Sequence, residues 1–314
     1  MQDDILQKYE IRKSNKEKAE FAEYIKERLE KSGYDAEQDI AVEEKGHGIF
    51  KSRNIVVGNP AEAEVLFGGH YDTCAWMPFP NFMAPTNPVL FWGYQILLTV
   101  MLLVTTALVG FLAGLLTGSG EVAYFTFLIA LILLMIQMMV GFRNKHTAND
   151  NTSGIITLTR ILERLPQEQR KKVCVIYFDN EEKGLLGSAF FYKKHKKEIK
   201  GKMLINFDCV GDGEHIVTMA DSKCRNDEKY QLFVEALQKN ETGADVKYLC
   251  RKMKFMQFPS DQMNFKKGIG VCALKKSPVG YYVARIHTSF DTKCRMENVE
   301  YLAKSMVEFV EKLK

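Results

Sequence analysis

A block of seventy residues in the middle of the chain, 73–142, holds a single charged side chain, Glu121. The whole chain has 314 residues, with 43 Lys and Arg and 39 Asp and Glu, so almost all of its charge lies on either side of the block. A soluble domain normally carries charged side chains over its whole surface, and a purely soluble protein is therefore not expected. The formal net charge of +4 is too small and too evenly spread to indicate a nucleic-acid-binding protein.

The block divides into a proline-rich linker and two long apolar segments. Residues 77–88 contain four of the eight prolines of the chain, which favours a stiff, non-helical linker. Residues 89–117 and 122–142 carry no charge, and each is long enough to cross a bilayer, since about 20 helical residues span its hydrocarbon core. The alternative is a buried hairpin in a soluble core, but neither segment shows the polar face that is usual for soluble helices. We expect a transmembrane helical hairpin.

The charges around the hairpin predict its orientation. The connector TGSGE contains no Lys or Arg, whereas Lys51 and Arg53 precede the hairpin and Arg143 and Lys145 follow it. Positive residues tend to stay on the cytoplasmic side of a membrane. We therefore expect an integral protein of the cell membrane, with two spans in contact with the lipid bilayer and the charged remainder of the chain in the cytoplasm. Seven cysteines without a C-x-x-C pair are typical of a reducing compartment.

Three glycines in the first apolar segment, Gly110, Gly114 and Gly118, are spaced four residues apart and share one helical face. Small residues at this spacing allow two helix backbones to approach closely in a membrane. The face could pack on the second span of the same hairpin or on a second copy of the chain. The pattern leaves both open, so a homodimer through this face is one of the two expectations.

Patterns typical of strands and helices surround the block. An amphipathic helix at 16–32 precedes three strand-like stretches, IAVEE, RNIVVG and EVLFGGHYD, and from residue 152 onward strands alternate with helices. Such alternation predicts an α/β fold with a mostly parallel mixed sheet, covered by helices on both faces. The expected division is an α/β domain formed by residues 1–76 and 143–314, interrupted by the inserted linker and hairpin at 77–142.

Acidic and histidine side chains cluster where the predicted strands end. They are His70 and Asp72 after one strand, Glu181 and Glu182 after another, Asp208 after a third, Asp150 before a helix, and His287 near the C-terminus. Ligands of such sheets gather beyond the carboxyl ends of the strands. Five acids at one edge would repel one another unless cations lay between them. Imidazole and carboxylate ligands suit zinc, with manganese or cobalt as substitutes.

The same positions carry a family resemblance. The motifs GGHYDT, NDNTSG, EEKGLLGS, NFDCVGDG and IHTSFDT, in this order, resemble those of the co-catalytic dizinc aminopeptidases, whose wider family includes glutamate carboxypeptidases and glutaminyl cyclases. The resemblance covers roughly residues 16–72 and 146–314. The stretch SDQMNF departs from the family pattern, because Gln262 stands where a histidine is common, and the resemblance assigns no role to this position.

The resemblance implies a role for each residue of the cluster. Asp150 would bridge two zinc ions, His70 and Asp208 would bind one of them, and Glu182 and His287 would bind the other. Asp72 would orient the His70 imidazole, and Glu181 would be the general base. Substrate contacts are expected from three residues just before His287, namely Arg285, Tyr281 and Tyr282. Asp291 is expected to be structural.

These inferences predict a membrane-anchored zinc aminopeptidase that acts on peptides at the cytoplasmic membrane face. The hairpin lies between two metal-site motifs, so hydrophobic or membrane-associated peptides are the expected substrates. One alternative within the family is glutaminyl cyclase activity, which commonly uses one zinc. A non-catalytic membrane scaffold is the other alternative, and the complete ligand set argues against it.

Overall fold

The computed structural model describes residues 3–241, 246–252 and 258–313, and for residues 250–252 only the backbone. The helices are α1 Asp4–Lys8, α2 Asn15–Glu30, α3 Pro88–Thr117, α4 Gly120–Val140, α5 Gly154–Arg164, α6 Leu186–His195, α7 Ser222–Arg225, α8 Glu228–Lys239 and α9 Met296–Glu311. The strands are β1 Ile40–His47, β2 Phe50–Val57, β3 Val65–His70, β4 Phe82–Met83, β5 Val173–Phe178, β6 Met203–Phe207, β7 His215–Ala220, β8 Lys247–Lys252, β9 Gly268–Ser277 and β10 Gly280–Ala284.

The strands of the described residues form one mixed sheet in the order β1-β2-β5-β3-β6-β9-β10-β4, with β7 paired to β9 and β8 paired to β7. The centre is parallel, since β3 lies between β5 and β6, and β6 lies beside β9. Antiparallel strands flank this centre on both sides. The prediction of an α/β fold with a mixed sheet is confirmed. The sheet is parallel at its centre and not mostly parallel, since four of the described pairings are parallel and five are antiparallel.

Helices cover both faces of the sheet. The central strands β3, β5 and β6 are buried at every residue, and since successive side chains point to opposite faces, both faces must be covered. On one face Phe67 of β3 packs with α5 and α9, and its ring lies 6.5 Å from that of Phe309. On the other face Leu66 belongs to a separate apolar cluster with Phe191 of α6. Both layers hold the central strands, and therefore the residues that follow them, in fixed positions.

The two apolar segments form helices whose ends have local sequence causes. Helix α3 begins at Pro88, where the missing N–H costs nothing, and the side chain of Asn87 accepts a hydrogen bond from the Leu90 N–H at 3.1 Å. Gly118 ends the helix in the left-handed conformation with φ 68°, which glycine adopts without strain. Ser119 then caps α4. The sequence placed the two helices within two residues of these bounds.

The glycine face of α3 lies against α4 of the same hairpin. A Cβ added to Gly110 would lie 2.6 Å from the carbonyl oxygen of Ala123, and one added to Gly114 would lie 2.7 Å from the Ala123 Cβ. Of the two partners left open by the sequence, the second helix of the hairpin occupies this face at Gly110 and Gly114. Gly118 instead ends α3 and forms the turn to α4. A homodimer through this face stays a prediction.

The outer surface of the hairpin is apolar and exposed. Both helices are long and apolar enough to cross a membrane; 17% of the most apolar window of α3 is buried and 0% of that of α4. Side chains such as Val104, Leu116 and Ile132 are more than half exposed. A hairpin buried in a soluble core, the alternative considered from the sequence, would hide these surfaces.

The proline-rich linker is part of the sheet as well as a connection to the hairpin. Its short strand β4 pairs with the end of β10. The N–H of Met77 donates to the carbonyl of His287 at 2.8 Å, and the N–H of Arg285 donates to the carbonyl of Asn81 at 2.8 Å. The linker is non-helical, as its prolines predicted, and these contacts hold the start of α3 beside the loop that carries His287.

Candidate metal centre

Five segments bring the predicted site residues together at the carboxyl edge of the central strands. His70 is the last residue of β3, Asp208 directly follows β6, and Glu181 and Glu182 follow β5 after a short loop. Asp150 lies in the helical turn before α5. His287 lies in the loop after β10. Parallel strands end at the same edge, which explains why His70, Asp208 and the two glutamates meet. His287 reaches this edge differently, since β10 runs antiparallel to β9.

Asp150 stands between two pairs of side chains. Its Oδ1 lies 3.3 Å from Nε2 of His70, and its Oδ2 lies 3.1 Å from Nε2 of His287. The same His70 nitrogen is 3.7 Å from Asp208, and the same His287 nitrogen is 3.3 Å from Glu182. Each oxygen of the Asp150 carboxylate therefore faces a histidine, and each histidine has a second acid beside it. This arrangement is compatible with a ligand that bridges two cations.

The donor set fits metal ions. The described residues offer possible ligand atoms within 4.8 Å of one another in a buried group at His70, Asp150 and Asp208, and in a partly buried group in which Glu182 and His287 lie beside Cys74. The Oε1 of Glu182 is buried without a hydrogen-bond partner in the described part of the chain, and a buried polar atom of this kind usually has a partner. Imidazole and carboxylate donors are those that zinc prefers.

The pKa shifts of Glu182 and His287 indicate an excess of negative charge in the site. Burial raises the pKa of Glu182 to about 7, with Asp150 as a further cause. Burial opposes a charge on His287, yet Glu182 and Asp150 raise its pKa to about 9. The imidazole thus favours a proton in the position where a metal ion would otherwise balance the acids.

Asp72 contacts both the His70 loop and the Glu181 loop. The Nδ1 of His70 lies 3.1 Å from the backbone carbonyl oxygen of Asp72 and 3.7 Å from its Oδ1. The predicted orientation of the imidazole is therefore fixed mainly by the backbone of Asp72. Its carboxylate accepts a hydrogen bond from the Glu181 N–H at 3.0 Å. Burial raises the pKa of the Glu181 carboxyl well above its usual range.

Residues that the sequence did not assign hold Asp150 in place. Asp291, expected to be structural, accepts hydrogen bonds from the Asn149 and Asp150 N–H groups at 2.9 and 3.0 Å. Asn151 donates to the carbonyl of Phe207 at 2.9 Å, which ties the loop to the end of β6. The only sequence signal for Asn151 was its place inside the NDNTSG motif.

Cys74 is a further neighbour that the sequence did not assign. Its Sγ is buried and lies within 4.8 Å of ligand atoms of both Glu182 and His287. Asn144 donates to this sulfur at 3.7 Å. The sequence did not predict that Cys74 lies at the site, because it is an isolated cysteine outside any C-x-x-C pair.

Gln262, which replaces a common family histidine, has a structural role. Its Nε2 donates to the carbonyl of Phe258 at 2.8 Å, and its Oε1 accepts from Asn206 at 3.0 Å. The side chain is also packed against Gly270. Both ends of the amide are therefore occupied by the protein.

A cleft of about 320 Å³ contains the site. Its described lining includes Ile286 and His287 but not the three predicted substrate contacts. Arg285 is ion-paired with Asp212 instead. The Tyr281 ring packs edge-on against His215 at 5.1 Å, and Tyr282 pairs with β9. Arg285, Tyr281 and Tyr282 thus lie outside the described cleft lining, which in this loop begins at Ile286. Substrate contact by these three residues stays a prediction without support from their positions.

Known structures share this fold at low sequence identity. The chain resembles the LapA aminopeptidase of Legionella pneumophila with 15% identity and a TM-score of 0.54, covering 98% of this chain and 68% of that one. It resembles a leucine aminopeptidase precursor of Bacteroides thetaiotaomicron with 14% identity and a TM-score of 0.55, covering 98% and 93%. For a Macrostomum lignano glutaminyl cyclase the identity is 11% and the TM-score 0.59, covering 98% and 86%.

The sequence itself also matches a protein family. No curated protein matches it at a significant level. The model of peptidase family M28, however, matches residues 137–306, more than half of the chain. This segment includes Asp150, Glu181, Glu182, Asp208 and His287. The chain therefore belongs to peptidase family M28.

Proposed function

We propose that the protein is a membrane-anchored, zinc-dependent aminopeptidase that removes N-terminal residues from peptides at the cytoplasmic face of the cell membrane. The observation that carries this proposal is the position of Asp150, whose two oxygens face His70 at 3.3 Å and His287 at 3.1 Å. Two of the similar solved structures are named as aminopeptidases, which supports the same reaction.

The proposed ligands divide into two sets that share one residue. His70, Asp208 and Asp150 would hold one zinc ion, and Glu182, His287 and Asp150 would hold the other. Manganese or cobalt would be accepted by the same nitrogen and oxygen donors. When bound, two ions would lower the pKa of a water between them and polarise the scissile carbonyl.

The protein's own groups supply the proton transfers. Glu181 lines the cleft beside the ligands, and in the proposed reaction its carboxylate accepts the proton of the attacking water and passes it to the departing amine. Burial favours the protonated form of this side chain, which suits the second transfer. Asp72 holds the Glu181 backbone at 3.0 Å, so that the base stays directed into the cleft.

The hairpin is proposed to cross the bilayer. Its outer surface is apolar around both helices, and such helices are stable only when lipid or protein covers them. The positive side chains that flank it, including Arg143 and Lys145, favour the cytoplasm for the α/β domain. The cleft would then lie at the membrane surface, accessible to hydrophobic or membrane-associated peptides.

Glutaminyl cyclase activity is the second candidate. It is favoured by the TM-score of 0.59 to the Macrostomum lignano glutaminyl cyclase, which exceeds the values for the two aminopeptidases. The two ligand sets around Asp150 favour hydrolysis, because the cyclase reaction commonly uses one zinc. A non-catalytic scaffold is disfavoured by the complete set of ligands and base.

The test uses the full chain in lipid nanodiscs with added zinc. A panel of aminoacyl chromogenic substrates is assayed with and without chelator, and N-terminal glutaminyl peptides are assayed for cyclisation in parallel. We expect chelator-sensitive release of N-terminal residues, two zinc ions per chain, and loss of turnover in Glu181→Gln with zinc retained. Cyclisation without hydrolysis and one zinc per chain would support the second candidate, whereas unchanged turnover in Glu181→Gln would overturn the role of the base.

A further inference from the structure

The membrane helices form part of the wall of the catalytic cleft. Two residues of α3, Gln95 and Leu98, and one of α4, Met138, line the same cavity as the metal-ligand residues. The hairpin is therefore in contact with the site, which an insertion serving only as an anchor would not require.

The two helices of the hairpin differ in length. At about 1.5 Å per residue, the 30 residues of α3 extend about 45 Å and the 21 residues of α4 about 32 Å. Gly110 packs at Ala123 and Phe127, so the register of the hairpin leaves the first turns of α3 beyond the end of α4. These turns reach from the bilayer into the α/β domain.

The environment of α3 changes along its length. Phe91, Tyr94 and Leu98 are buried, and the Tyr94 hydroxyl donates to the carbonyl of Pro80 in the linker. Further along, Val104 and Leu108 are 61% and 56% exposed. The start of α3 thus packs on protein, while the rest has a surface suited to lipid.

The lining of the cleft combines charged and apolar residues. The candidate ligands and Glu181 supply its charged groups. Its apolar residues come from the linker, the hairpin and two loops: Met77, Phe82, Leu98, Met138, Phe258 and Ile286. The volume of about 320 Å³ is at the small end of the range for ligand pockets, and it suits one terminal residue better than a length of peptide.

We propose that Leu98 and Met138 form the subsite for the side chain of the substrate's N-terminal residue, and that this subsite selects large apolar side chains. The inference rests on the proposed aminopeptidase function and names its substrate class: peptides with an apolar N-terminal residue at the bilayer surface. Gln95 lies on the same wall and offers an amide where the helix enters the polar part of the cleft.

The experiment measures kcat and KM of the full chain in zinc-loaded nanodiscs for alanyl, leucyl, phenylalanyl and glutamyl substrates. Leu98→Ala and Met138→Ala are compared with two matched controls outside the cleft lining. Leu108→Ala is the control on α3. Met139→Ala is the control on α4, and its side chain is 50% exposed. Removing apolar contacts in a pocket costs roughly 10- to 200-fold in discrimination. We expect kcat/KM for leucyl and phenylalanyl substrates to fall about tenfold in the two cleft variants and to change less than about twofold in the controls.

A larger side chain provides the opposite test. Leu98→Phe should narrow the subsite, so that alanyl substrates are retained while phenylalanyl substrates lose about tenfold in kcat/KM, mainly through KM. Zinc content and melting temperature are measured for every variant, and free leucine is tested as a competitive inhibitor that should weaken in Leu98→Ala but not in Leu108→Ala.

The outcomes separate this inference from the proposed function. If the wild type hydrolyses none of the aminoacyl substrates, the aminopeptidase function is wrong. If the wild type is active but the cleft variants lower kcat/KM equally for all substrates, or if the controls change it as much, the subsite is wrong and the aminopeptidase function stands. If Leu98→Ala does not fold, Met138→Ala and Leu98→Phe decide the matter by the same criterion.

Discussion

The Oδ1 atom of Asp72 accepts a hydrogen bond from the Glu181 N–H at 3.0 Å and lies 3.7 Å from Nδ1 of His70. One buried carboxylate therefore connects the loop of the proposed base with the first metal-ligand strand. Burial opposes its charge, but the neighbouring His70 and Lys18 lower the pKa of Asp72 below its usual value. The negative charge is thus kept where it accepts the Glu181 N–H and lies beside the His70 imidazole.

Replacing Asp72 by asparagine should lower the activity without leaving a cavity at position 72. The amide keeps the size of the side chain but lacks the charge, and loss of such supporting partners typically costs 10- to 100-fold in metal affinity or activity. We expect kcat of Asp72→Asn to fall within about this range. Asp212→Asn, which removes a buried acid paired with Arg285 outside the cleft, is the control. Equal losses in both variants would show that the effect is general destabilisation.

Replacing Asp150 should remove both metal ions, whereas replacing a terminal ligand should remove one. Asp150 faces both histidines, so Asp150→Asn weakens both ligand sets. His287→Ala leaves His70 and Asp208 as a complete set beside Asp150. We expect close to zero zinc per chain in the first variant and close to one in the second, measured by metal analysis after dialysis. Two zinc ions retained by Asp150→Asn would contradict the bridging role.

The meeting of His70, Glu182 and Asp208 could be predicted from sequence, because parallel strands end at one edge of a sheet. Metal binding by these residues stays a prediction. His70 and Asp208 follow strands that end at one edge, so chain order and strand direction were sufficient. Glu181 and Glu182 follow β5 in the same way. The position of such a residue can be predicted because a hydrophobic strand pattern directly precedes it in the sequence.

Other features depended on distances that no local pattern contains. Leu98 is one of many apolar residues in α3, and its place in the cleft depends on how the hairpin packs against the α/β domain. Arg285 lies one residue from the cleft-lining Ile286, but the backbone there has a positive φ of 71° and its side chain reaches Asp212. The sequence also could not show that His70 Nδ1 contacts the backbone carbonyl of Asp72 and not its carboxylate.

The N-terminal acid Asp3 should stabilise the fold in a pH-dependent way. It is buried, and it contacts Arg28 at 2.6 Å and Arg160 at 3.0 Å. Burial alone would raise its pKa, but these arginines and the Ile5 N–H outweigh burial and lower it. A lowered pKa means that the stabilisation is present above the unfolded value of about 4 and is lost as the pH falls through the folded value.

Asp3→Asn should therefore lose about 2 kcal/mol of unfolding free energy at pH 7, and the difference from wild type should narrow below about pH 4. Denaturant titrations of the detergent-solubilised chain across this pH range measure it. Asp4→Asn is the neighbouring control, since the Asp4 side chain is 51% exposed and pairs only with Lys8 among the described residues. A difference that stayed constant down to pH 3 would contradict a role for the Asp3 charge.

The close approach of α3 and α4 predicts that Gly110 tolerates no larger side chain. Its Cβ would lie 2.6 Å from the Ala123 carbonyl oxygen and 2.9 Å from the Phe127 Cβ, and backbone atoms cannot move aside as a flexible side chain can. Gly110→Leu should separate the helices and displace Met138 from the cleft. We expect a lower melting temperature in nanodiscs and a raised KM for apolar substrates.

Gly93→Leu is the matched control, because Gly93 lies on the same helix with open space within 4 Å of its Cβ among the described residues. It should melt close to the wild type. The same pair of variants tests the homodimer predicted through this face, with the oligomeric state read by light scattering. If Gly110→Leu converts a dimer to a monomer with an unchanged melting temperature, the glycine face of α3 contacts a second copy of the chain. If the wild type is a monomer and the variant melts at a lower temperature, the face contacts α4 of the same hairpin, because the steric conflict then lies within one chain.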